Sequence, residues 1–256
     1  MGVQQILSKA FPVAEDATGV LPADCWIVKA RKVESHGRDV LRPLSEAVDV
    51  VARHNQAEML ERRLALVHPI DRSHRRDFDD GLLDCLSEAC AFAWADARGM
   101  GPPEFRFNEE GKPDIFIKPD IWVEAKALYA SDNDRKLWAQ AMEEAQRREG
   151  PPGIAFRGGS VKLDKVESMI SGLIGKFESD YQNAKQKFER VAANGRMIFY
   201  NLTVLDLEAM LLKEGALRAV REWAKSKEKE GSIAVVVCVG YDWRVPQYDS
   251  YTPRGL

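Results

Sequence analysis

Asp114, Glu124 and Lys126 are the residues whose types and spacing best support chemistry in this chain. They fall in GKPDIFIKPDIWVEAKAL, residues 111 to 128, which reads as two short β-runs joined by a turn at Lys118, Pro119 and Asp120. In an antiparallel hairpin that pairs Ile117 with Ile121, Asp114 lies opposite Glu124, and directly opposed residues have Cβ atoms roughly 4.5 to 5.5 Å apart. Two carboxylates at that separation repel unless something cationic sits between them. Lys126 stands two residues beyond Glu124 and therefore shares its face, because strand side chains alternate. Trp122 shares that face as well, while Ile121, Val123 and Ala125 cover the other. Two carboxylates plus a lysine are what hard-metal phosphodiester hydrolysis asks for: oxygen ligands for Mg²⁺, and a cation near the attacking water or phosphate.

The elements that must hold these residues can be read on either side. Leu44 to Val67 carries a helical stripe at Val48, Val51, Ala52, Leu60, Leu64 and Leu66, and Trp26 to Val33 reads as a strand. His68 to Asp80 interrupts with Pro69 and dense charge, and the texture changes near residue 76. From Asp79 the residues Leu82, Leu83, Leu86, Ala89, Cys90, Ala93, Trp94 and Ala97 predict a helix that stops at Gly99 and the following GPP. Three β-runs follow as a meander, Glu104 to Asn108, Asp114 to Ile117 and Ile121 to Leu128. After a polar stretch with a helix over Asp134 to Arg148 and a glycine-rich loop, a long helix is expected from about Asp164 to Ala193. Its stripe is Val166, Ile170, Leu173, Phe177, Tyr181, Ala184, Phe188 and Val191. A strand (Met197 to Val204), a helix (Asp206 to about Lys227) and a strand (Ser232 to Trp243) complete the order α, β, β, β, α, β, α, β. The chain thus divides into a mainly helical region, residues 1–75, and an α/β domain, residues 76–256.

Pro113-Asp114, nine intervening residues and Glu124-Ala125-Lys126 resemble the signature of the PD-(D/E)xK nuclease superfamily. The resemblance covers roughly residues 79–204. It implies a restriction-endonuclease-like αβββαβ core, with a mixed central sheet flanked by helices. It also implies that Asp114, Glu124 and the carbonyl of Ala125 ligate Mg²⁺ or Mn²⁺, with Lys126 as the catalytic lysine. Pro119-Asp120 is a rival "PD", but Asp120 lies four residues before Glu124 in one extended segment, about 13 Å away, and suits the turn. Many members carry a Glu on the helix before the first strand, which makes Glu88 a further catalytic candidate. They also use a Lys or Gln of the second helix near the metal site or the phosphates of the nucleic acid. Lys176, Gln182, Lys185, Gln186 and Lys187 are available there, and Lys185 is the choice. Arg157, Lys162 and Lys165, beside Gly158 and Gly159, offer a nucleic-acid contact in which backbone amides and cations meet a phosphate.

Other chemistries fit less well. His68, Asp71, His74, Asp77, Asp79 and Asp80 match no metal-hydrolase spacing, and GGS at residues 158–160 lacks the context of a nucleophile elbow. Cys25, Cys85, Cys90 and Cys238 sit in apolar patterns without CxxC spacing and read as buried thiols. Trp122 has two readings, stacking on a base or packing on Phe116. With 45% apolar and 30% charged residues the composition is that of an ordinary soluble protein, and no apolar run approaches the roughly 18 to 20 residues of a membrane span. The first residues do not read as a signal peptide, and position 6 is Ile rather than the Ser or Thr of a myristoylation signal, so a cytoplasmic location is expected. A net charge of −3 excludes coating nucleic acid by bulk charge and makes any polyanion contact local.

The expectation is therefore a metal-dependent nuclease, endonucleolytic, acting on DNA more readily than RNA by the resemblance alone. Its rival is a module that keeps the nuclease-like core and binds a protein or nucleic acid without cutting. Three roles stay open for residues 1–75: covering the site, binding substrate, or joining two copies as a homodimer.

Overall fold

The computed structural model describes residues 42–65, 75–107, 109–128, 163–202, 210–230, 233–240 and 242–251. The stripe expected to run from Leu44 to Val67 is broken into two helices, Arg42–Arg53 (α1) and Ala57–Ala65 (α2). The break is chemical. Asn55 takes φ 58°, its N–H bonds Ala52 O, and the N–H of Gln56 bonds Val51 O, the paired closure that ends helices at a left-handed residue, a conformation asparagine tolerates.

Helix α3, Arg75–Ala97, ends the same way, with Gly99 at φ 64° and bonds from Gly99 N to Asp96 O and Met100 N to Ala95 O. The sequence pattern gives this helix one apolar stripe, but the structure buries it nearly all round from Leu82 to Ala95, including Ser87, Glu88, Ala91 and Phe92. A helix buried on all sides must be packed on all sides. One side of α3 meets the sheet, and the other is covered by α1 and α2 through Leu44, Val48, Val51, Leu60 and Leu64.

The sheet has six strands in chain order: Pro103–Phe105 (β1), Ile115–Ile117 (β2), Ile121–Leu128 (β3), Gly195–Leu202 (β4), Ala234–Val239 (β5) and Tyr248–Asp249 (β6). Strands β1 to β3 form the expected antiparallel meander, with Ile117 facing Ile121 as the hairpin reading requires. β3, β4 and β5 run parallel, and β6 returns antiparallel. The architecture is mixed α/β. Helices Leu163–Glu189 (α4) and Met210–Glu228 (α5) cover the face opposite α3, packing Phe177, Tyr181, Phe188 and Trp223 on Ile198, Tyr200 and Val237. Among the described residues no helix is long and apolar enough to cross a membrane.

The last strand is shorter than Ser232 to Trp243. It stops at Val239 because Gly240 turns the chain at φ 63°, and the unforeseen β6 then pairs back on β5. Trp243 still reaches the core, donating its Nε1–H to the Pro43 carbonyl at 2.8 Å, and Arg244 pairs with Glu46 at 2.7 Å. Trp26–Val33, His68 to His74 and the helix over Asp134 to Arg148 lie outside the described residues.

Residues 42–65 thus share a core with α3. Leu64 is 0% exposed, so Leu64→Ala is expected to cost about 2–5 kcal/mol. Urea denaturation reads this as a lower midpoint at unchanged slope, and a loss within about 0.5 kcal/mol, typical of surface positions, would mean α2 is peripheral.

Candidate active site

β2 begins only at Ile115, opposite Val123, while its neighbour β3 runs on to Leu128, so beyond Val123 the β2-facing edge of β3 has no strand partner among the described residues. Asp114 fills the first vacated rung with its side chain: Oδ2 accepts the Ala125 N–H at 3.0 Å. Because N–H and C=O of one strand residue point to the same side, the Ala125 carbonyl faces the same opening. The backbone of Asp114 is fixed in turn, its carbonyl accepting the N–H of Arg106 at 2.8 Å.

Alternation on β3 sends Trp122, Glu124 and Lys126 toward α4, and Val123, Ala125 and Ala127 toward α3. Glu124 is 0% exposed, and its Oε1 accepts both Lys126 Nζ at 2.8 Å and Lys187 Nζ of α4 at 2.6 Å. Its Oε2 is buried with no hydrogen-bond partner among the described residues. An unpaired buried carboxylate oxygen costs free energy, so this one is open to a further donor or a cation.

Glu88 approaches from the other face. It is 3% exposed, its Oε1 accepts Arg63 Nη2 at 3.3 Å, and its Oε2 also lacks a partner among the described residues. Charge crowding shows in the proton affinities. Burial, and then the charge of Glu124, push Asp114 up to about 7 against the pull of Lys187 and Lys126. Burial and the charge of Asp114 push Glu88 up to about 8, with Arg63 opposing. For Lys126 burial works against the ammonium, yet Glu124 and Asp114 together hold it above the ordinary lysine range. Asp180, also on α4, is raised by burial and by Glu124, while Lys126 and Lys176 lower it.

The expected residues fall into two groups. Asp114, Glu124, Ala125 and Lys126 are brought together, and Glu88 is within electrostatic reach of Asp114. Asp120 is not: its Oδ2 accepts Asn194 N at 3.0 Å and its carbonyl accepts Gly195 N at 3.1 Å, which fastens the hairpin turn to the start of β4. Lys185 is exposed, and Lys187 holds the position expected of it. Trp122 packs on Phe116, ring centroids 5.0 Å apart. Arg157, Lys162 and Lys165 are not placed: the first two lie outside the described residues, and of the Lys165 side chain nothing is described. Lys187 and Arg63 are the two site residues that the sequence does not single out. Lys187 is one of five candidates on α4, whereas no signal marks Arg63.

Among the described residues no group of three His, Cys, Asp or Glu side chains converges as a metal site. The third carboxylate, Glu88, is held by Arg63. What remains is Asp114, Glu124 with its free Oε2, and the Ala125 carbonyl, an all-oxygen donor set that suits a hard cation completing its shell with water. Comparison of the chain with family models, curated proteins and solved structures finds no match in any of the three.

Proposed function

We propose that this protein is a metal-dependent nuclease with a restriction-endonuclease-like core, cutting phosphodiester bonds of nucleic acid at Asp114, Glu124 and Lys126. The observation that carries the reading is Glu124: a fully buried carboxylate with two lysines on one oxygen and, among the described residues, nothing on the other. Asp114, Glu124 and the Ala125 carbonyl would hold Mg²⁺ or Mn²⁺, and the bound cation supplies Lewis acidity toward a phosphoryl oxygen and a more acidic water.

The remaining work belongs to the chain. The Ala125 N–H and the Arg106 N–H fix the side chain and the backbone of Asp114, so its carboxylate keeps one direction. Glu124 holds the Lys126 ammonium in the opening, where it orients the attacking water and offsets negative charge as the phosphorus gains an oxygen and the leaving oxygen departs. Lys187 adds a second positive charge from the α4 side. DNA is the preferred substrate only by resemblance, and the near-balanced net charge of −3 favours few phosphate contacts and binding that weakens with salt.

The test is cleavage of plasmid DNA and of RNA with Mg²⁺, Mn²⁺ or chelator, beside Lys126→Ala. Cleavage that needs the cation and falls about 10²–10³-fold in the variant is expected, the loss typical when a charge-stabilising group is removed. Cleavage indifferent to chelator and to Lys126 sinks the mechanism. Inactivity of wild type and variant alike on every substrate points to the non-cutting binding module.

A further inference from the structure

Glu88 poses a problem that no metal solves in this arrangement. It is a buried carboxylate on α3 that lies within the electrostatic reach of Asp114, and one of its oxygens has no partner among the described residues. What meets its charge is Arg63, which comes from outside the α/β part of the chain. Arg63 lies on α2, one residue before the fully buried Leu64 and three after the fully buried Leu60, so its backbone is anchored in the core. Its guanidinium carbon stands 5.6 Å from the centre of the Phe107 ring while Nη2 reaches Glu88 Oε1 at 3.3 Å. The side chain is 34% exposed, in contrast to its neighbour Arg62, which is 68% exposed and pairs with the surface residue Glu58.

We infer that Arg63 is a positioning residue of the site: it fixes the buried carboxyl of Glu88, so that residues 42–65 form a working part of the catalytic unit. This rests on the nuclease reading above. The physical argument is the consequence of removing the guanidinium. Glu88 would then be a buried anion without its counter-charge, a strongly unfavourable state, and its carboxyl would turn from the place the guanidinium now fixes, taking the unpartnered Oε2 with it. Misplacement of about 1 Å at such a position costs about 10²-fold in rate. A lysine at position 63 keeps the charge and loses the planar fork that spans Glu88 and Phe107.

The experiment uses the full chain with Arg63→Met, Arg63→Lys, Glu88→Gln, the Arg63→Met/Glu88→Gln double variant, and Arg62→Met as control. Melting temperature, kcat and KM for DNA cleavage below the lowest melting temperature, and Mn²⁺ affinity by calorimetry are measured for each. Arg63→Met should lower kcat about 10- to 100-fold with KM within about two-fold and weaken Mn²⁺ binding. Arg63→Lys should recover part of both losses. In the Glu88→Gln background the Arg63 substitution should add little, since residues acting as a unit are not additive, and Arg62→Met should match wild type. Arg63→Met with wild-type kcat and a lowered melting temperature overturns the inference, as does full additivity with Glu88→Gln. If Arg63→Met does not fold, Arg63→Lys decides: wild-type kcat and Mn²⁺ affinity in that variant and in Glu88→Gln overturn it. A wild type that neither cleaves nor binds Mn²⁺ overturns the nuclease reading itself and the role of Arg63 with it. That result is distinct, because in the other cases the wild type is active.

Discussion

Glu124→Gln is expected to reduce cleavage by about 10³-fold or more at nearly unchanged KM. The substitution keeps shape and volume at a site that is 0% exposed, so the loss comes from charge alone. Two ammonium groups, Lys126 at 2.8 Å and Lys187 at 2.6 Å, converge on the one oxygen whose charge would vanish. Both lysines are about 30% exposed and can turn to water, which limits the stability loss below the roughly 3–5 kcal/mol seen when a wholly buried pair loses a partner. In turning, Lys126 leaves the opening beside Asp114, and a cation loses one of its two carboxylates. Rate should therefore suffer far more than folding. Lys187→Met separates the two lysines: Glu124 keeps Lys126, and a loss nearer 10-fold is expected, since a single charge-assisted hydrogen bond is worth about 1.5–3 kcal/mol. Single-turnover cleavage with saturating Mg²⁺ measures both. A Glu124→Gln enzyme within about 10-fold of wild type would remove Glu124 from the chemistry.

The second large effect is an inverted dependence of stability on pH in cation-free protein. Asp114 rises from 3.8 to about 7 and Glu88 from 4.5 to about 8, in each case first through burial and then through a neighbouring carboxylate. Groups raised in this way bind protons in the folded state at pH values where the unfolded chain has released them. Folding is then favoured at low pH, and that contribution is lost as pH rises through about 7 to 8. Most carboxylates act in the opposite sense. Glu178, held down to about 2 by hydrogen bonds from Trp223, Gln182 and Lys227 against the effect of burial, contributes stability above the ordinary glutamate range and loses it only in strong acid. Because Asp114 and Glu88 interact, they titrate as a pair. Each tenfold change in proton affinity is worth about 1.4 kcal/mol, so a loss of a few kcal/mol between pH 5 and pH 8 corresponds to a melting temperature lower by roughly 5 to 10 °C. Saturating Mg²⁺ at pH 8 should restore it, since a ligand that binds only the folded state stabilises that state. Asp114→Asn should flatten the profile and abolish the Mg²⁺ effect. Calorimetric scans in chelator across this range measure it, and a melting temperature that is level or rises from pH 5 to pH 8 would refute the inversion.

Much of this site is legible in the sequence because strand geometry has so few degrees of freedom. Once Ile117 faces Ile121, alternation puts Glu124 and Lys126 on one face of β3, and the observed register agrees as far as Ile115 facing Val123; Asp114 lies one residue before β2 and meets the Ala125 N–H with its side chain rather than pairing with Glu124 in the ladder. Helix α4 shows where such reasoning ends. At about 100° per residue, Lys187 and Lys185 lie about 80° to either side of the Phe177, Tyr181, Ala184 and Phe188 stripe. Composition does not distinguish the two flanks. The sheet does: the flank with Asp180 and Lys187 meets β3, while the flank with Glu178 meets Trp223 and Lys227 of α5. Lys185 is thus on the wrong side of a nearly symmetric stripe. Arg63 is hidden for a different reason. The contact with Glu88 joins two helices through a segment without periodic pattern, and a charged residue in the last turn of a helix ordinarily needs no partner beyond the helix end. The all-round burial of α3 is hidden likewise, since its pattern displays one apolar stripe and nothing in α1 or α2 names the helix they cover.

The bond from Trp243 to the Pro43 carbonyl joins residues 200 positions apart, and this span orders events during synthesis. Arg63 and Glu88 are only 25 residues apart and can meet as soon as α2 and α3 have emerged, whereas Glu124 must wait for Lys187, 63 residues later. At roughly 5 to 20 residues per second, the closing contact with Trp243 follows Arg63 by about 10 to 40 s. Local helical pairs form quickly and long-range parallel strands slowly, so the contacts of α1 to α3 are expected to form before those of the parallel strands. During that interval the first turn of α1 is without its contacts from Trp243 and Arg244, which arrive only with the residues that follow β5.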